Sequence, residues 1–277
     1  MFDSIFSTLN INGGKYTAGA YSGMYYIEMG TAPQSYVGTT STISATQQTT
    51  QWIDNNYYYR DNNNPNIQYV LKNSKYYKVE PVRWIIITDE NYPTDGGTLG
   101  IDYFSNTSLA TIDRTLLNNI SLNQIVVISE KLITDFSFDY TYSNCETQMR
   151  SLSDKIFTEV EQNLLNTVSL TTFRDAITTL DENFSLLAGY SLTENFHASN
   201  YLATPTLRQA SNTAYLANTT TNPSDFSVWS LRSWYGSSTH TCSYYIDSSG
   251  VITGPVIPNT DFPPRGIRPM FVINLGI

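Results

Sequence analysis

The stretch KYYKVEPVRWIIIT at residues 75–88 decides how the fold is read. It joins an alternating apolar segment to a continuous one, and it is rich in β-branched and aromatic residues, which favour strands. Proline cannot donate to a strand ladder, so Pro81 predicts a bend between two strands. A β-sheet is therefore expected to form around this part of the chain.

The rest of the chain predicts further strands and a helical middle. The segment QIVVISEKLI (124–133) predicts a buried strand that runs into a turn, and short strands are expected in FSVWSLRSW (226–234), SYYIDSSGVITGPV (243–256) and IRPMFVINLG (267–276). Gly250 marks the turn of a hairpin. Between residues 144 and 168, apolar residues recur at spacings of three and four, which predicts an amphipathic helix; they are Met149, Leu152, Ile156, Phe157, Val160, Leu164 and Leu165. The predicted fold class is α+β, as one domain.

The composition indicates a polar surface with few charges. The 277 residues carry a formal net charge of −9, and charged residues make up 14%, against a usual ~25%. Thr (35 residues), Asn (25) and Tyr (21) must supply much of the surface, which is typical of extracellular or virion proteins. A negative surface repels phosphate groups, so we expect no nucleic-acid partner and no anionic-membrane partner. No apolar run approaches the 18 residues or more of a membrane helix, so no membrane span is expected.

The segment 1–24 is rich in Gly, Ser, Asn and Tyr and shows little periodicity. We interpret it as an N-terminal leader that anchors the protein to other subunits or virion proteins, and residues 25–277 as the folded domain. Asp3 stands where a secretory signal would carry basic residues, and no apolar core follows, so no secretory signal is expected.

Several segments, in order, resemble one family of uncharacterised bacterial and phage domains, catalogued as domain of unknown function 6273. They include YYKVEPVRWIII (76–87), YSNCETQMRSLSDKIFTEVEQNLL (142–165), WSLRS (229–233) and GIRPMFVINL (266–275). The chain departs from the family pattern at 32–34, where Ala-Pro-Gln replaces Tyr-Pro-Gln, at 147–150, and at Val228, where a Trp is usual.

The resemblance implies a C-type-lectin-like fold, the scaffold that formylglycine-generating enzymes also use. In such folds an early strand pairs with the C-terminal strand, and long loops present the binding surface. The copper-binding cysteines of those enzymes have no counterparts in this chain, so the resemblance does not imply their activity.

Two arginines stand inside apolar strand motifs, where a guanidinium needs carboxylate or carbonyl partners. We expect Arg232 and Arg268 to bridge acidic side chains and to pin loops to the sheet. Ligand anchoring is the alternative, and it is assigned to Arg232. Arg268, Trp229 and Trp84 are assigned structural roles.

Adjacent aromatic residues suggest a binding surface, because neighbours on a strand face opposite ways. The runs are Tyr57–Tyr59, Trp234–Tyr235 and Tyr244–Tyr245. Flat rings beside Asn and Thr suit carbohydrate or protein ligands. The predicted ligand-binding residues are Trp234, Tyr235, Tyr244, Tyr245 and Arg232; the alternative is that these rings fill the core.

The sequence favours no catalytic or metal chemistry. His240 lies near Cys242, but no third residue would orient the histidine, and no nucleophile elbow is present. We expect a protein that is not an enzyme and has no cofactor or metal. A structural Ca²⁺ in DNNNPN (61–66) or TDENYPTDGG (88–97) is the alternative. Cys145 and Cys242 either form a disulfide or remain free thiols.

The leading hypothesis is a non-enzymatic phage virion component, such as a fibre, decoration or host-attachment protein. It would be a homo-oligomer, and its loops from about residue 229 to 262 would face a cell-surface glycan or protein. A bacterial surface or cytoplasmic domain that binds glycan or peptide is the second hypothesis, and a hydrolase or amidase is the third.

Overall fold

The fold is mixed and rich in antiparallel sheet, which confirms the predicted α+β class at that level. The computed structural model describes residues 6–7, 9–53, 55–87, 124–135, 142–166, 168–172, 178–182, 202, 204–237, 240–256 and 265–274. Among the described helices, none has the length and apolar character that a bilayer crossing requires.

The elements follow in chain order. The strands of the first half are β1 (Asn12–Lys15), β2 (Tyr25–Thr39), β3 (Ala45–Gln51), β4 (Tyr57–Asp61), β5 (Gln68–Lys72), β6 (Lys75–Ile86), β7 (Gln124–Ser129) and β8 (Thr134–Asp135). The later strands are β9 (Leu165–Asn166), β10 (Val168–Thr172), β11 (Thr178–Glu182), β12 (Trp229–Ser237), β13 (His240–Ile246), β14 (Ile252–Val256), β15 (Gly266–Ile267) and β16 (Met270–Asn274). The helices are α1 (Tyr142–Ile156), α2 (Glu159–Gln162), α3 (Pro205–Arg208) and α4 (Ala214–Ala217).

Two sheets carry most of the architecture. The larger has the order β3-β4-β5-β6-β7-β16-β9, with β2 alongside β6 and β1 alongside β2. The smaller has the order β14-β13-β12-β15-β8, and β10 and β11 form a separate hairpin. In the smaller sheet, β12 and β15 run parallel and meet at the pair Trp229–Gly266.

The central strands β7 and β16 and the end of β6 from Trp84 onward are buried on both faces. Successive side chains of a strand point to opposite faces, so these strands supply two core clusters. One cluster contains Trp84, Ile86, Ile125, Val127, Phe271 and Ile273, and it is covered by Met149, Leu152 and Ile156 of α1. The other contains Ile85, Ile87, Val126, Ile128, Met270 and Val272, and it is covered by Leu202, Ala210, Trp229, Leu231 and Ile246. Burial on both faces explains the continuous apolar run after Arg83.

Trp84, for which a structural role is predicted, lies at the centre of several contacts between elements. Its ring is fully buried, its Nε1 donates to the carbonyl oxygen of Met29 at 2.7 Å, and it stacks on Phe157 at a centroid distance of 5.6 Å. The ring of Phe271 meets it edge-on at 4.7 Å. Trp84 therefore joins β2, β6, β16 and the segment after α1.

The predicted bend at Pro81 is wrong, since β6 is one continuous strand. Pro81 is exposed, and it lies opposite Thr31 of β2. The irregularity falls on β2 instead, whose register shifts between Glu28 and Thr31. A bulge in the partner strand thus accommodates the proline.

The predicted long helix is right up to Ile156 and wrong beyond it. Thr158 starts the separate helix α2 with a capping box, in which its hydroxyl and the carboxylate of Glu161 each accept from the other residue's backbone N–H. Val160 is 76% exposed, although its spacing suggested burial, and Leu165 begins β9. The capping residues end the helical register that the apolar spacing alone would continue.

The described residues of the segment 1–24 pack against the rest of the chain. β1 pairs with residues 25–28 of β2, Phe6 is buried in the first core cluster, and Met24 is buried in the second. An anchoring role for this segment stays a prediction.

One pairing implied by the family resemblance is wrong among the described strands. The C-terminal strand β16 pairs with β7 and β9, whereas the early strand β2 pairs with β1 and β6. β6 and β7 therefore lie between the early strand and the C-terminal one.

Gly30 lets β2 approach the helical layer closely. Its φ of +65° is in the left-handed region, and its N–H donates to Glu161 Oε1 at 2.7 Å. A Cβ on this residue would lie 2.6 Å from Cγ2 of Ile156 and 2.8 Å from Cδ1 of Phe157. Any larger residue would therefore face both backbone strain and a clash.

We expect Gly30→Ala to lower the free energy of unfolding by about 2–4 kcal/mol, from the left-handed conformation and the overpacking together. Gly19→Ala is the matched control, because Gly19 has a φ of +81° and a Cβ there would meet nothing within 4 Å. It should cost only about 1–2 kcal/mol. Urea denaturation of both variants measures the difference, and equal losses would contradict the close approach at Gly30.

Candidate functional site

Two sequence motifs meet beneath the surface of the smaller sheet. The indole Nε1 of Trp229 donates to the carbonyl oxygen of Arg208 at 2.9 Å. Nη1 of Arg268 donates to the same oxygen and to that of Leu207, each at 3.3 Å. Trp229 and Arg268 are both fully buried, so the Arg208 carbonyl oxygen is a hydrogen-bond acceptor that two buried side chains share. The structure thus brings together Trp229 and Arg268, two residues for which structural roles are predicted.

The guanidinium of Arg268 has partners on every side. Its Nε donates to the carbonyl oxygen of Ser129 at 2.9 Å, and its Nη2 donates to the hydroxyl of Tyr21 at 2.9 Å. The ring of Trp229 lies 5.3 Å from it, within the range of a cation–π contact. The partners shown are carbonyls, a hydroxyl and aromatic rings, so the expected bridge to acidic side chains is wrong for Arg268. These hydrogen bonds join Tyr21 and α3 to the end of β7.

Arg208 is a second buried cation, which the sequence reading missed. Its Nε donates to the carbonyl oxygen of Gly250 at 2.6 Å, and its Nη1 donates to that of Leu202 at 2.8 Å. Burial lowers the pKa of this guanidinium from its ordinary value. The scarcity of cations could have pointed to it, because a chain with few arginines places little charge in its interior without a structural reason.

A surface cleft of about 410 Å³ lies beside this network. We call it the Phe226 cleft, and its lining residues are Asp135, Asn212, Leu216, Phe226, Ser227, Val228, Ser248 and Gly266. They come from β8, β15, α4 and the segment before it, the segment before β12, and the turn between β13 and β14. Widely separated parts of the chain therefore meet in one concave site.

Backbone hydrogen bonds hold the walls of the cleft. Ser227 N donates to the carbonyl oxygen of Ala210 at 2.9 Å, and Gly266 N donates to that of Val228 at 2.9 Å. Bridges also join Phe226 to Ser211 and Asn212 to Leu132. The segments that form the walls are consequently joined to one another by main-chain contacts within the protein.

The β13–β14 turn is held in the same way. The side-chain Nε2 of Gln209 donates to the carbonyl oxygen of Ser248 at 3.2 Å. Asp247 Oδ1 accepts from the N–H groups of Ser249 and Val251, both at 2.9 Å. Desolvation opposes ionisation of Asp247, but these hydrogen bonds prevail and lower its pKa. The hairpin predicted around Gly250 is confirmed, with a φ of +83° at that residue.

The chemistry of the Phe226 cleft is mixed. The side chain of Phe226 is 43% exposed, which is unusual for a large apolar residue, and Leu216 adds apolar surface. Asp135 offers carboxylate oxygens, and Asn212 offers both a donor and an acceptor. The site can thus contact an apolar ligand face and hydrogen-bond to groups at its edge.

Of the predicted ligand-binding residues, Tyr244 and Tyr245 have described side chains, and both are half-buried in β13. Tyr244 packs against the second core cluster, and the Arg265 guanidinium lies 4.3 Å from the Tyr245 ring. Both rings have packing roles in addition to their exposed parts. The role of these two residues in ligand binding stays a prediction.

For other predicted residues, only the backbone is described. Arg232, Trp234 and Tyr235 lie in β12, where Trp234 is opposite Ser243 and Tyr235 is opposite Cys242. Their side chains lie outside the described part of the structure, as do those of Cys145 and Cys242. Their predicted roles remain predictions.

The segment DNNNPN forms a turn in which the carboxylate of Asp61 accepts hydrogen bonds from within the protein. Asp61 Oδ2 accepts from the Tyr69 hydroxyl at 2.6 Å, and its Oδ1 accepts from the N–H groups of Asn63 and Asn64. The bond from Tyr69 is the main cause of the lowered pKa of Asp61. The other proposed calcium segment, 88–97, lies outside the described residues. Within the described part of the chain, no three His, Cys, Asp or Glu residues form a group that could hold a metal ion.

Comparisons with family models, with curated proteins and with solved structures find no match to this chain. The fold and the site define it as a sheet-rich α+β protein with a preformed surface cleft.

We expect Arg268→Lys to lower the free energy of unfolding by about 3–5 kcal/mol, because one ammonium cannot replace the guanidinium at its buried acceptors. Arg83→Lys is the control: Arg83 pairs with Glu28 at 3.0 Å, and its side chain is 46% exposed. Its loss should be at most about 1 kcal/mol. Chemical denaturation gives both values. Similar small losses would show that Arg268 does not hold the loops.

Proposed function

We propose that this protein is a non-enzymatic binding module that presents the Phe226 cleft to a glycan. The supporting observation is a preformed cleft with a partly exposed aromatic ring beside carboxylate, amide and hydroxyl groups. Its volume of about 410 Å³ lies within the usual range for small-ligand sites. Because its walls are already hydrogen-bonded, binding would cost little ordering of the protein.

A sugar ring matches the two kinds of surface in this cleft. Its C–H face is apolar and would contact the ring of Phe226, while its hydroxyls both donate and accept hydrogen bonds. Asp135 can accept from two neighbouring hydroxyls, and Asn212 can donate as well as accept. Among the described residues that line this cleft there is one carboxylate and no cation, which favours a neutral ligand over an anionic one.

The biological setting that we propose is a phage virion, with the protein as a homo-oligomeric fibre, decoration or host-attachment component. A surface of Thr, Asn and Tyr with few charges supports this proposal, as does the resemblance of the chain to domains found in phages and bacteria. The C-type-lectin-like assignment rests on the same resemblance. The segment 1–24 would contribute to contacts with other virion proteins.

Phe226→Ala should reduce binding to those immobilised glycans that the unaltered protein retains, by about tenfold or more, because the partly exposed ring supplies apolar contact area in the lining of the cleft. A glycan microarray probed with both proteins measures the change. Val160→Ala is the control, since Val160 is also exposed but lies on α2, away from the cleft. If the array is blank for the unaltered protein, or if both variants bind equally, the glycan assignment of this cleft fails.

The solution mass of the full-length protein tests the proposed assembly. We expect light scattering after size exclusion to give a defined multiple of the 31.2 kDa chain. A mass of one chain over the whole accessible concentration range would contradict the homo-oligomer. In that case a monomeric glycan-binding domain would account better for the cleft.

A further inference from the structure

The central strand β6 has an interrupted edge. β2 pairs along one edge of β6 from Lys75 to Ile85. On the other edge β5 pairs up to Lys78, and β7 begins at Trp84. Residues 79–83 therefore have no ladder partner on that edge among the described strands, apart from the bond from Glu130 N to the carbonyl oxygen of Arg83 at 2.9 Å.

A second cleft, of about 330 Å³, opens where this edge is interrupted. We call it the β6 cleft, and it is separate from the Phe226 cleft. Its lining comes from four places: β2, β6, the β7–β8 connection and the start of α4. Unpaired backbone groups of a strand can hydrogen-bond to a ligand as they would to another strand.

The β6 cleft carries both signs of charge. Its cations are Arg83 and Lys131, and its carboxylates are Glu28, Glu80 and Glu130. Arg83 Nε donates to Glu28 Oε1 at 3.0 Å, and its guanidinium lies 4.8 Å from the centre of the Tyr26 ring. These two contacts hold the guanidinium in place while nearly half of the side chain stays exposed.

Gln34 stabilises the floor of the cleft. Its side-chain Nε2 donates to the carbonyl oxygens of Pro81 at 2.7 Å and Glu80 at 3.2 Å. The register between β2 and β6 shifts between Pro33 and Ser35, so Gln34 is the bulged residue. Bulges commonly re-aim side chains beside functional sites. The side chain of Gln34 thus lines the cleft and binds the backbone of β6, whereas Gln34 itself has no paired residue on β6.

We infer that the β6 cleft binds a small zwitterion, a molecule that carries both an ammonium group and a carboxylate. Arg83 and Lys131 would bind the carboxylate, and Glu130 would bind the ammonium group, since Glu80 already pairs with Lys78 at 3.5 Å. A ligand with one sign alone would meet a like charge in the same small cleft, which is costly. A free amino acid and a dipeptide each carry one ammonium group and one carboxylate, and the cleft volume fits a ligand of that size.

Chemical-shift changes in ¹H–¹⁵N spectra of the full-length protein test the inference. The probes are L-alanine, L-alanyl-L-alanine, ethylamine and propionate at constant ionic strength. One or both zwitterions should bind at least about tenfold more tightly than either singly charged probe. Binding of alanine identifies a free amino acid as the ligand, and binding of the dipeptide alone identifies a peptide. Equal binding of ethylamine or propionate, or no binding of either zwitterion up to about 50 mM, overturns the inference.

Charge-removing variants locate the site. Glu130→Gln and Lys131→Gln should each weaken zwitterion binding about tenfold, since each removes one charged partner. Glu159→Gln and Lys155→Gln make the same changes of charge on α2 and α1, outside the residues that line the cleft, and should leave binding unchanged. Circular dichroism checks that all four variants fold. Equal losses in the control pair would show a general charge effect and would contradict a site at β6. A glycan bound at the Phe226 cleft would be unaffected by all four substitutions, so the two proposals fail independently.

Discussion

The constraint on which the structure depends is that three central strands must be covered on both faces. β6, β7 and β16 alternate between two apolar faces, and exposing either would cost about 25 cal/mol for each Å² of apolar surface. One face is therefore covered by α1 and Phe157, and the other by Leu202, Ala210, Trp229, Leu231 and Ile246. The Phe226 cleft exists because that second covering layer is irregular: its loops bury the core on one side and leave a concave surface on the other.

In an irregular layer, backbone carbonyls that no strand ladder pairs need other hydrogen-bond donors. Two arginines supply such donors here. A guanidinium has five donors in a fixed plane, so one residue can satisfy carbonyls from several loops at once. Arg268 reaches the end of β7, α3 and Tyr21, while Arg208 reaches the β13–β14 turn and residue 202. Removing either charge would leave several buried acceptors unsatisfied. The loops of this layer are thus held by two arginine side chains as well as by backbone hydrogen bonds.

Local patterns in the sequence predict the strands and the start of the helix well, but not the site. Alternation and β-branching identify β6, β7 and β16, because those strands satisfy propensity and burial together. The end of α1 is missed because the capping box at Thr158 overrides the apolar spacing, and Pro81 misleads because the accommodating bulge lies on another strand. The partners of Arg268 are carbonyls, a hydroxyl and aromatic rings from distant parts of the chain, which no local sequence pattern could name. Phe226, Asp135 and Asn212 meet only through tertiary structure, so their sequence positions carry no sign of a shared cleft.

The place of β16 has a consequence for how the protein is made. This strand, which ends at Asn274, lies between β7 and β9 and contributes side chains to both core clusters. Its partner strands are synthesised more than a hundred residues earlier. A nascent chain can form the hairpins among β2 to β6 on the ribosome, yet its central sheet stays open until residue 274 has left the exit tunnel. During that interval the apolar edge of β7 is unpaired, which is the kind of surface that chaperones bind and that aggregates form through. The protein is therefore most at risk of aggregation during its synthesis, before β16 has paired with β7.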